Sequence, residues 1–167
     1  MFTSPGAGQV AAARDEFEAS VLARGWAVVR VRDADTFCRL LVTVPAGEEL
    51  LVDLAVDSIP GQPGVESVAG PTFALPELAG RKVVALFDRA EARDFADVYA
   101  LARRFSQSEL LAQAMLVDRA FDDGVFAQML GAVSRLADAD LSVAAREVDA
   151  LRAFFRQWAA ELAGRCS

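Results

Sequence analysis

The sequence predicts an α+β fold, in which one helix is followed by a small antiparallel sheet and then by a helical region. Between residues 26 and 56, β-branched and apolar segments are separated by short turns, which is typical of strands. From Pro76 onward, the apolar residues recur at helical spacing. The chain has 167 residues, of which 54% are hydrophobic and 25% charged, a composition typical of a globular protein with its own core.

The first half of the chain contains the predicted sheet. Residues 9–24 carry apolar side chains between charges and are predicted to form an amphipathic helix that ends at Gly25. Strands are predicted at residues 26–32, 36–44 and 49–56, with a short fourth strand at residues 65–68. Because the turns between the first three strands are short, these strands should be antiparallel neighbours in a meander.

The second half is predicted to be helical. The candidate helices are residues 76–89, 93–105, 108–121, 125–136 and 142–162. Pro76 suits the first turn of a helix, and Ser108 and Ser142 are predicted N-caps. We therefore expect a sheet-containing part, residues 1–75, and a helical part, residues 76–167, that together form one structural unit.

The composition excludes several classes of function. Histidine is absent, which excludes nucleophile pairs and general bases that depend on it. Cys38 and Cys166 are too far apart in the sequence to indicate a metal motif or a disulfide framework. With no long apolar run and no signal peptide, we expect a cytoplasmic protein without a membrane partner. The net charge of −7 counts against broad nucleic-acid binding and against a helical DNA-binding protein.

Asp53 lies in a predicted strand whose other residues are mostly apolar. Alternation places Leu51 and Asp57 on the same face of the strand as Asp53. A carboxylate among apolar neighbours is costly unless a metal ion or a cation pairs with it, which makes Asp53 a candidate catalytic or magnesium-binding residue. The alternative is a half-exposed strand whose second face is in contact with water.

A second cluster of charged residues consists of Lys82, Arg89, Arg93, Asp94 and Asp97. Lys82 and Arg89 share one helical face, which suits either phosphate binding or pairing with nearby acids. Asp94 and Asp97 lie at the start of the next predicted helix, where Asp94 could be the N-cap. The alternative is therefore a structural ion-pair network that links two helices. Lys82 is the single lysine among 17 basic residues, and its compact ammonium group cannot be reproduced by arginine.

The order and spacing of these residues resemble the hallmark of AbiEii-type nucleotidyltransferases. The pattern is Lys82, six residues, Arg89, three residues, Arg93-Asp94, two residues, Asp97, and then Val98 to Leu101. The resemblance covers most of the chain and is strongest over residues 49–105. It implies a partial nucleotidyltransferase-like sheet of three to four strands, as the remnant of an α/β core in residues 1–75, followed by a C-terminal helical bundle.

The resemblance also implies an activity and a site. Members of this family transfer a nucleotide from an NTP to an acceptor, in some members a tRNA end, and use magnesium held by three carboxylates. They act as toxins of type IV toxin–antitoxin systems, so a cognate antitoxin is expected. By resemblance, Asp53 is the third carboxylate, both catalytic and magnesium-binding, Lys82 and Arg89 bind the nucleotide, and Arg93, Asp94 and Asp97 belong to a family motif.

One departure from the family pattern limits the expected activity. The family's Gly-Gly or Gly-Ser turn and its Asp-x-Asp pair are not found in this sequence, and Met1-Phe2-Thr3 resembles the residues that follow that pair. Either the true protein starts earlier, or the chain is a remnant. Because a single carboxylate cannot build a two-metal site, we expect weak or no transferase activity. The alternative is a non-enzymatic interaction module whose strand edges favour a homodimer or another partner.

Overall fold

The computed structural model describes residues 8–57, 59–68 and 70–165. The chain divides into two compact units, Met1–Thr72 and Phe73–Ser167, and each is described here by itself. The first unit contains α1 (Gln9–Ala23), β1 (Ala27–Ala34), β2 (Phe37–Thr43), β3 (Glu49–Ala55), β4 (Val65–Ser67) and β5 (Gly70–Thr72). The second contains α2 (Leu75–Arg89), α3 (Ala92–Leu101), α4 (Gln107–Val117), α5 (Asp123–Leu130) and α6 (Val148–Arg165).

The α+β prediction and the order of its elements are confirmed. The first three strands form an antiparallel sheet in the order β1-β2-β3, as the short turns predicted. The short strand predicted at residues 65–68 is β4, which pairs with β5 in a separate two-stranded sheet. No helix in the described part of the chain is long and apolar enough to cross a membrane.

The sheet buries one of its faces against α1. Cys38, Leu40 and Val42 alternate along β2 and are almost completely buried, because every second residue of a strand points to the same side. Leu54 of β3 and Val10 of α1 contact this row and complete a small apolar cluster.

The opposite face of the sheet is open. Val29 of β1 lies opposite Leu41, and Leu41 lies opposite Leu51 of β3, so these three residues form an apolar row across the strands. The exposed fractions of Val29 and Leu51 are 60% and 58%. A register shift between Arg30 and Arg32 leaves Val31 without a paired residue on β2, and Val31 is also exposed.

The second unit has a larger core rich in aromatic residues. On the last helix, α6, Leu151, Phe155, Trp158 and Leu162 are all buried and form one apolar face. The ring of Phe95 on α3 meets the ring of Phe155 edge-on at a centroid distance of 5.0 Å. This contact packs α3 against α6 and fixes one side of the helix that carries the acidic residues of the candidate site.

Both predicted serine N-caps were wrong. The N-cap of α4 is Ser106 and not Ser108, because Glu109, three residues after Ser106, accepts a hydrogen bond from the Ser106 backbone N–H. The last helix begins at Val148 and not at Ser142. Short 3₁₀ helices precede it at Gly131–Arg135, Asp138–Asp140 and Ala145–Glu147, and the guanidinium of Arg152 donates hydrogen bonds to the carbonyls of Val133 and Leu136 and to the Asp138 carboxylate.

Gly80 allows α2 and α4 to approach closely, so we expect Gly80→Ala to destabilise the protein. A Cβ atom at this position would lie 2.4 Å from the backbone oxygen of Gln113 on α4, so the helices would have to move apart. The expected loss is about 1–3 kcal/mol of the free energy of unfolding, measured by urea denaturation. The matched control is Gly131→Ala, because nothing lies within 4 Å of a Cβ there. Equal stability of the two variants would contradict the close approach.

Candidate functional site

The corner between α2 and α3 is held by an ion pair between Arg89 and Asp94. The guanidinium donates two hydrogen bonds, from Nη2 to Oδ1 at 2.8 Å and from Nε to Oδ2 at 2.9 Å. The backbone N–H of Glu91 donates a third, at 3.2 Å, to Oδ2 of Asp94. Asp94 is therefore not the N-cap of α3: Glu91 occupies that position, and Asp94 lies three residues further along, where a carboxylate reaches back to the cap.

The surroundings of Asp94 favour its ionised form. Its residue is fully buried, and burial by itself raises the pKa of a carboxyl group. The hydrogen bonds and charge of Arg89, with the hydrogen bond from the Glu91 backbone, outweigh this effect and lower the pKa of Asp94 below its ordinary value of 3.8. In turn, the hydrogen bonds to Asp94 raise the pKa of Arg89. Asp94 is thus a permanent anion that holds Arg89 in place at neutral pH.

A second ion pair links the same two helices at a more exposed position. Nζ of Lys82 on α2 donates a hydrogen bond of 2.6 Å to Oδ2 of Asp97 on α3. Their side chains remain 38% and 42% exposed, so solvent reaches both groups. Among the described residues, Asp97 is the ion-pair partner of Lys82. An ion pair at this level of exposure is weak, which leaves the ammonium group available to a stronger anion.

Arg93 lies beside the corner and not within it. Its Nε is 3.1 Å from Oε2 of Glu91, and its side chain is 56% exposed. Glu91 also lies 3.7 Å from Nε of Arg89. The motif residues of the second unit therefore lie along α2 and α3 in three ion pairs, so the structural network of ion pairs considered from the sequence is present.

Asp53 belongs to the first unit, where it is paired with Arg39. The two residues face each other across β2 and β3, and Nε and Nη2 of Arg39 donate hydrogen bonds of 2.7 and 2.8 Å to the two carboxylate oxygens. The Asp53 side chain is 37% exposed, so the expected desolvation among apolar neighbours does not occur. The exposed-face alternative describes its surroundings correctly, while its catalytic role stays a prediction.

The described residues do not by themselves fit a magnesium site. Residues 8–57, 59–68 and 70–165 contain no group of three or more Cys, Asp or Glu side chains that could hold a metal ion. Both oxygens of the nominated ligand, Asp53, accept hydrogen bonds from Arg39, a cation that a metal ion would have to displace. Additional carboxylates would be needed to complete a two-metal arrangement.

Two residues of these networks were missed from the sequence, although a signal for each was present. Arg39 lies opposite Asp53 because both are seven positions from Ala46 at the centre of the β2–β3 turn, so counting outward from that turn would have paired them. Glu91 precedes Asp94 by three residues, which is the spacing of two side chains that cap a helix reciprocally.

We expect Asp94→Asn to lower the stability of the protein at neutral pH. The stability of this variant should also change less as the pH falls into the acid range. Because the folded pKa of Asp94 is depressed, its ion pair contributes stability above the unfolded pKa, about 3.9. That contribution is lost as the pH falls through the folded pKa, and Asn lacks it at every pH. The expected cost at pH 7 is about 1–3 kcal/mol, measured by urea denaturation between about pH 3 and pH 7.

The matched control for this measurement is Asp97→Asn on the same helix. Asp97 also accepts a hydrogen bond from a cation of α2, but it is half-exposed, so the expected cost is below about 1 kcal/mol. A loss of stability in Asp97→Asn as large as in Asp94→Asn would show that burial does not distinguish the two pairs.

One of three comparisons with known proteins, that with protein families, found a match. Residues 24–165 match the family model described as Nucleotidyl transferase AbiEii toxin, Type IV TA system. The match extends from before β1 to the end of α6 and includes both ion-paired clusters. No curated protein and no solved structure matches the chain. Because the family model covers most of its length, this chain belongs to the AbiEii nucleotidyl transferase toxin family of type IV toxin–antitoxin systems.

Proposed function

We propose that this chain contributes the phosphate-binding part of a nucleotidyltransferase toxin, with Lys82 as the ligand of an NTP phosphate. The observation that carries the proposal is the exposed ion pair between Lys82 and Asp97, within a chain that belongs to a nucleotidyltransferase family. The acceptor proposed from the family resemblance is a tRNA end. The type IV toxin–antitoxin description of the family implies a cognate antitoxin in the same system.

The exchange of partners at Lys82 is physically reasonable. An exposed ion pair contributes only about 0–1 kcal/mol, so Asp97 holds the ammonium group in place without binding it tightly. A triphosphate carries several negative charges and can accept more hydrogen bonds than one carboxylate. Lys82 is also the single lysine of the chain, and a compact ammonium group is a common ligand of phosphate oxygens.

In this proposal Arg89 positions the site and leaves the phosphate to Lys82. Its Nε and Nη2 are occupied by the buried carboxylate of Asp94, so moving Arg89 onto a nucleotide would leave a buried anion without its cation. The ion pair of Arg89 with Asp94 holds α3 against α2 at the corner. It therefore keeps Asp97 opposite Lys82.

Transfer activity requires magnesium as a proposed cofactor and carboxylates besides Asp53. Magnesium would neutralise charge on the attacking and leaving oxygens of the reaction. The described residues supply no group of three candidate ligands, and Asp53 is paired with Arg39. We therefore propose that this chain binds a nucleotide and transfers it weakly or not at all.

A second candidate function is self-association through the sheet of the first unit. On its open face Val29 and Leu51 are more than half exposed, and β1 and β3 each have only one neighbouring strand among the described residues. An exposed strand edge beside apolar side chains is a template for pairing with a second strand. The proposed occupant is the β1 edge of a second copy of this chain, paired antiparallel about a two-fold axis.

We expect Lys82→Ala to weaken NTP binding by about tenfold, because it removes a charged hydrogen bond to phosphate. The affinity of each NTP with magnesium is measured by isothermal titration calorimetry. Since Lys82 is the single lysine, its acetylation can also be followed by peptide mass spectrometry, and bound NTP should slow that reaction. The control is Arg103→Ala, an exposed cation of the same unit paired with Glu147. Unchanged heats in Lys82→Ala, together with unprotected acetylation, would contradict the proposal.

Self-association predicts a dimer that Val29→Lys converts to a monomer. A charge at this exposed position of β1 would oppose pairing of two identical edges, with little effect on folding because the side chain is 60% exposed. The mass of each protein is measured by light scattering during size-exclusion chromatography. A monomeric mass for the unchanged protein would rule out this candidate function.

A further inference from the structure

The outer face of α3 carries cations on both sides of the Lys82–Asp97 pair. Arg93 precedes Asp97 by four residues and Arg104 follows it by seven, which are spacings that place side chains on one side of a helix. The winding continues past the end of α3, since the backbone N–H of Arg104 donates to the carbonyl of Leu101 at 2.9 Å. Arg104 therefore lies about two helical turns beyond Asp97 on the same face.

Arg104 differs from Lys82 and Arg93 in its ion-pair partners. Lys82 is paired with Asp97, and Arg93 is paired with Glu91. Arg104 is exposed, and within residues 8–57, 59–68 and 70–165 its guanidinium has no ion-pair or hydrogen-bond partner. In a chain with a net charge of −7, an unpaired guanidinium in line with a candidate phosphate ligand is available to an external anion.

The neighbouring residue, Arg103, provides an internal comparison. Its Nη2 lies 2.7 Å from Oε1 of Glu147, and its guanidinium lies over the ring of Tyr99 at 5.7 Å. One residue further along a helix is a rotation of about 100°, so Arg103 and Arg104 point to different sides. Arg103 is thus engaged within the protein, whereas Arg104 is exposed.

The surface between the pair and Arg104 is open to an extended ligand. Ala100, which lies between Asp97 and Arg104 in the sequence, is exposed and has a small side chain. The separation of about two turns between Asp97, the partner of Lys82, and Arg104 corresponds to roughly 10 Å along the helix axis, so Lys82 and Arg104 suit two different phosphate groups. Guanidinium groups bind phosphate through two parallel hydrogen bonds.

We infer that Arg104 binds a second phosphate group of the substrate that Lys82 engages. This inference rests on the proposed function and names the chemistry that the outer face of α3 recognises. The second phosphate can come from the backbone of a single-stranded RNA acceptor or from the NTP itself. Arg104 acts as a binding residue in both cases, and the experiment separates the two sources.

The test measures two ligands separately for the full chain and three variants. The ligands are ATP with magnesium, followed by calorimetry, and a fluorescein-labelled single-stranded RNA of about 12 nucleotides, followed by anisotropy. The RNA titration is repeated between about 50 and 200 mM salt, because each phosphate contact contributes about 0.7 to the slope of log affinity against log salt for a single strand. The variants are Arg104→Ala, Arg103→Ala as the matched control, and Lys82→Ala.

The expected result is a loss of about tenfold in the affinity of Arg104→Ala for one of the two ligands. A loss for RNA with a salt slope lower by about 0.7 assigns the phosphate to the acceptor, and a loss for ATP alone assigns it to the NTP. Unchanged affinities in Arg104→Ala, or an equal loss in Arg103→Ala, overturn the inference. If the inference about Arg104 fails but Lys82→Ala still loses affinity for ATP, the proposed function of Lys82 stands. Failure of the unchanged protein to bind either ligand overturns both.

Discussion

The arrangement of α2 and α3 in the second unit depends on one buried carboxylate that requires a cation as its partner. Asp94 is fully buried, and an ionised group in that position is tolerated only with good hydrogen-bonding partners. Arg89 supplies two hydrogen bonds from the last turn of α2, and the chain between them turns sharply at Ala90, whose φ of 48° is in the left-handed region. A non-glycine residue in that conformation is strained by about 1–2 kcal/mol. The ion pair of Arg89 with Asp94 offsets this strain and fixes where α3 starts.

Two ion pairs of similar chemistry join α2 to α3, and burial gives them different roles. The pair of Arg89 with Asp94 is closed to solvent on the acid side, so exchanging its partner would leave an uncompensated charge. The pair of Lys82 with Asp97 is about 40% exposed on both sides, so its members can exchange partners at little cost. The pair of Arg89 with Asp94 is suited to holding the helices together. The pair of Lys82 with Asp97, which the first pair keeps in position, is suited to binding a ligand.

The first unit shows how a strand can carry a charged residue among apolar ones without burying it. The row of Cys38, Leu40 and Val42 faces α1 and is buried, so the intervening residues of β2 face the other way. Arg39 and Asp53 meet on that open face and satisfy each other across the strands. Both carboxylate oxygens of Asp53 therefore accept hydrogen bonds from Arg39 on this face.

The sequence by itself determined the class and order of the elements and the family of the chain. Alternation along a strand, recurrence along a helix and the spacing from Lys82 to Asp97 are all properties of a short stretch of chain. Only the tertiary structure decided which acid each cation pairs with, that Asp53 is exposed, and that the last helix begins at Val148. These outcomes depend on side chains that are distant in sequence, such as Arg39 across the sheet and Arg152 on the carbonyls of residues 133 and 136. Each polar group has several possible partners. The fold decides which partner it meets by placing the group in water or in the core.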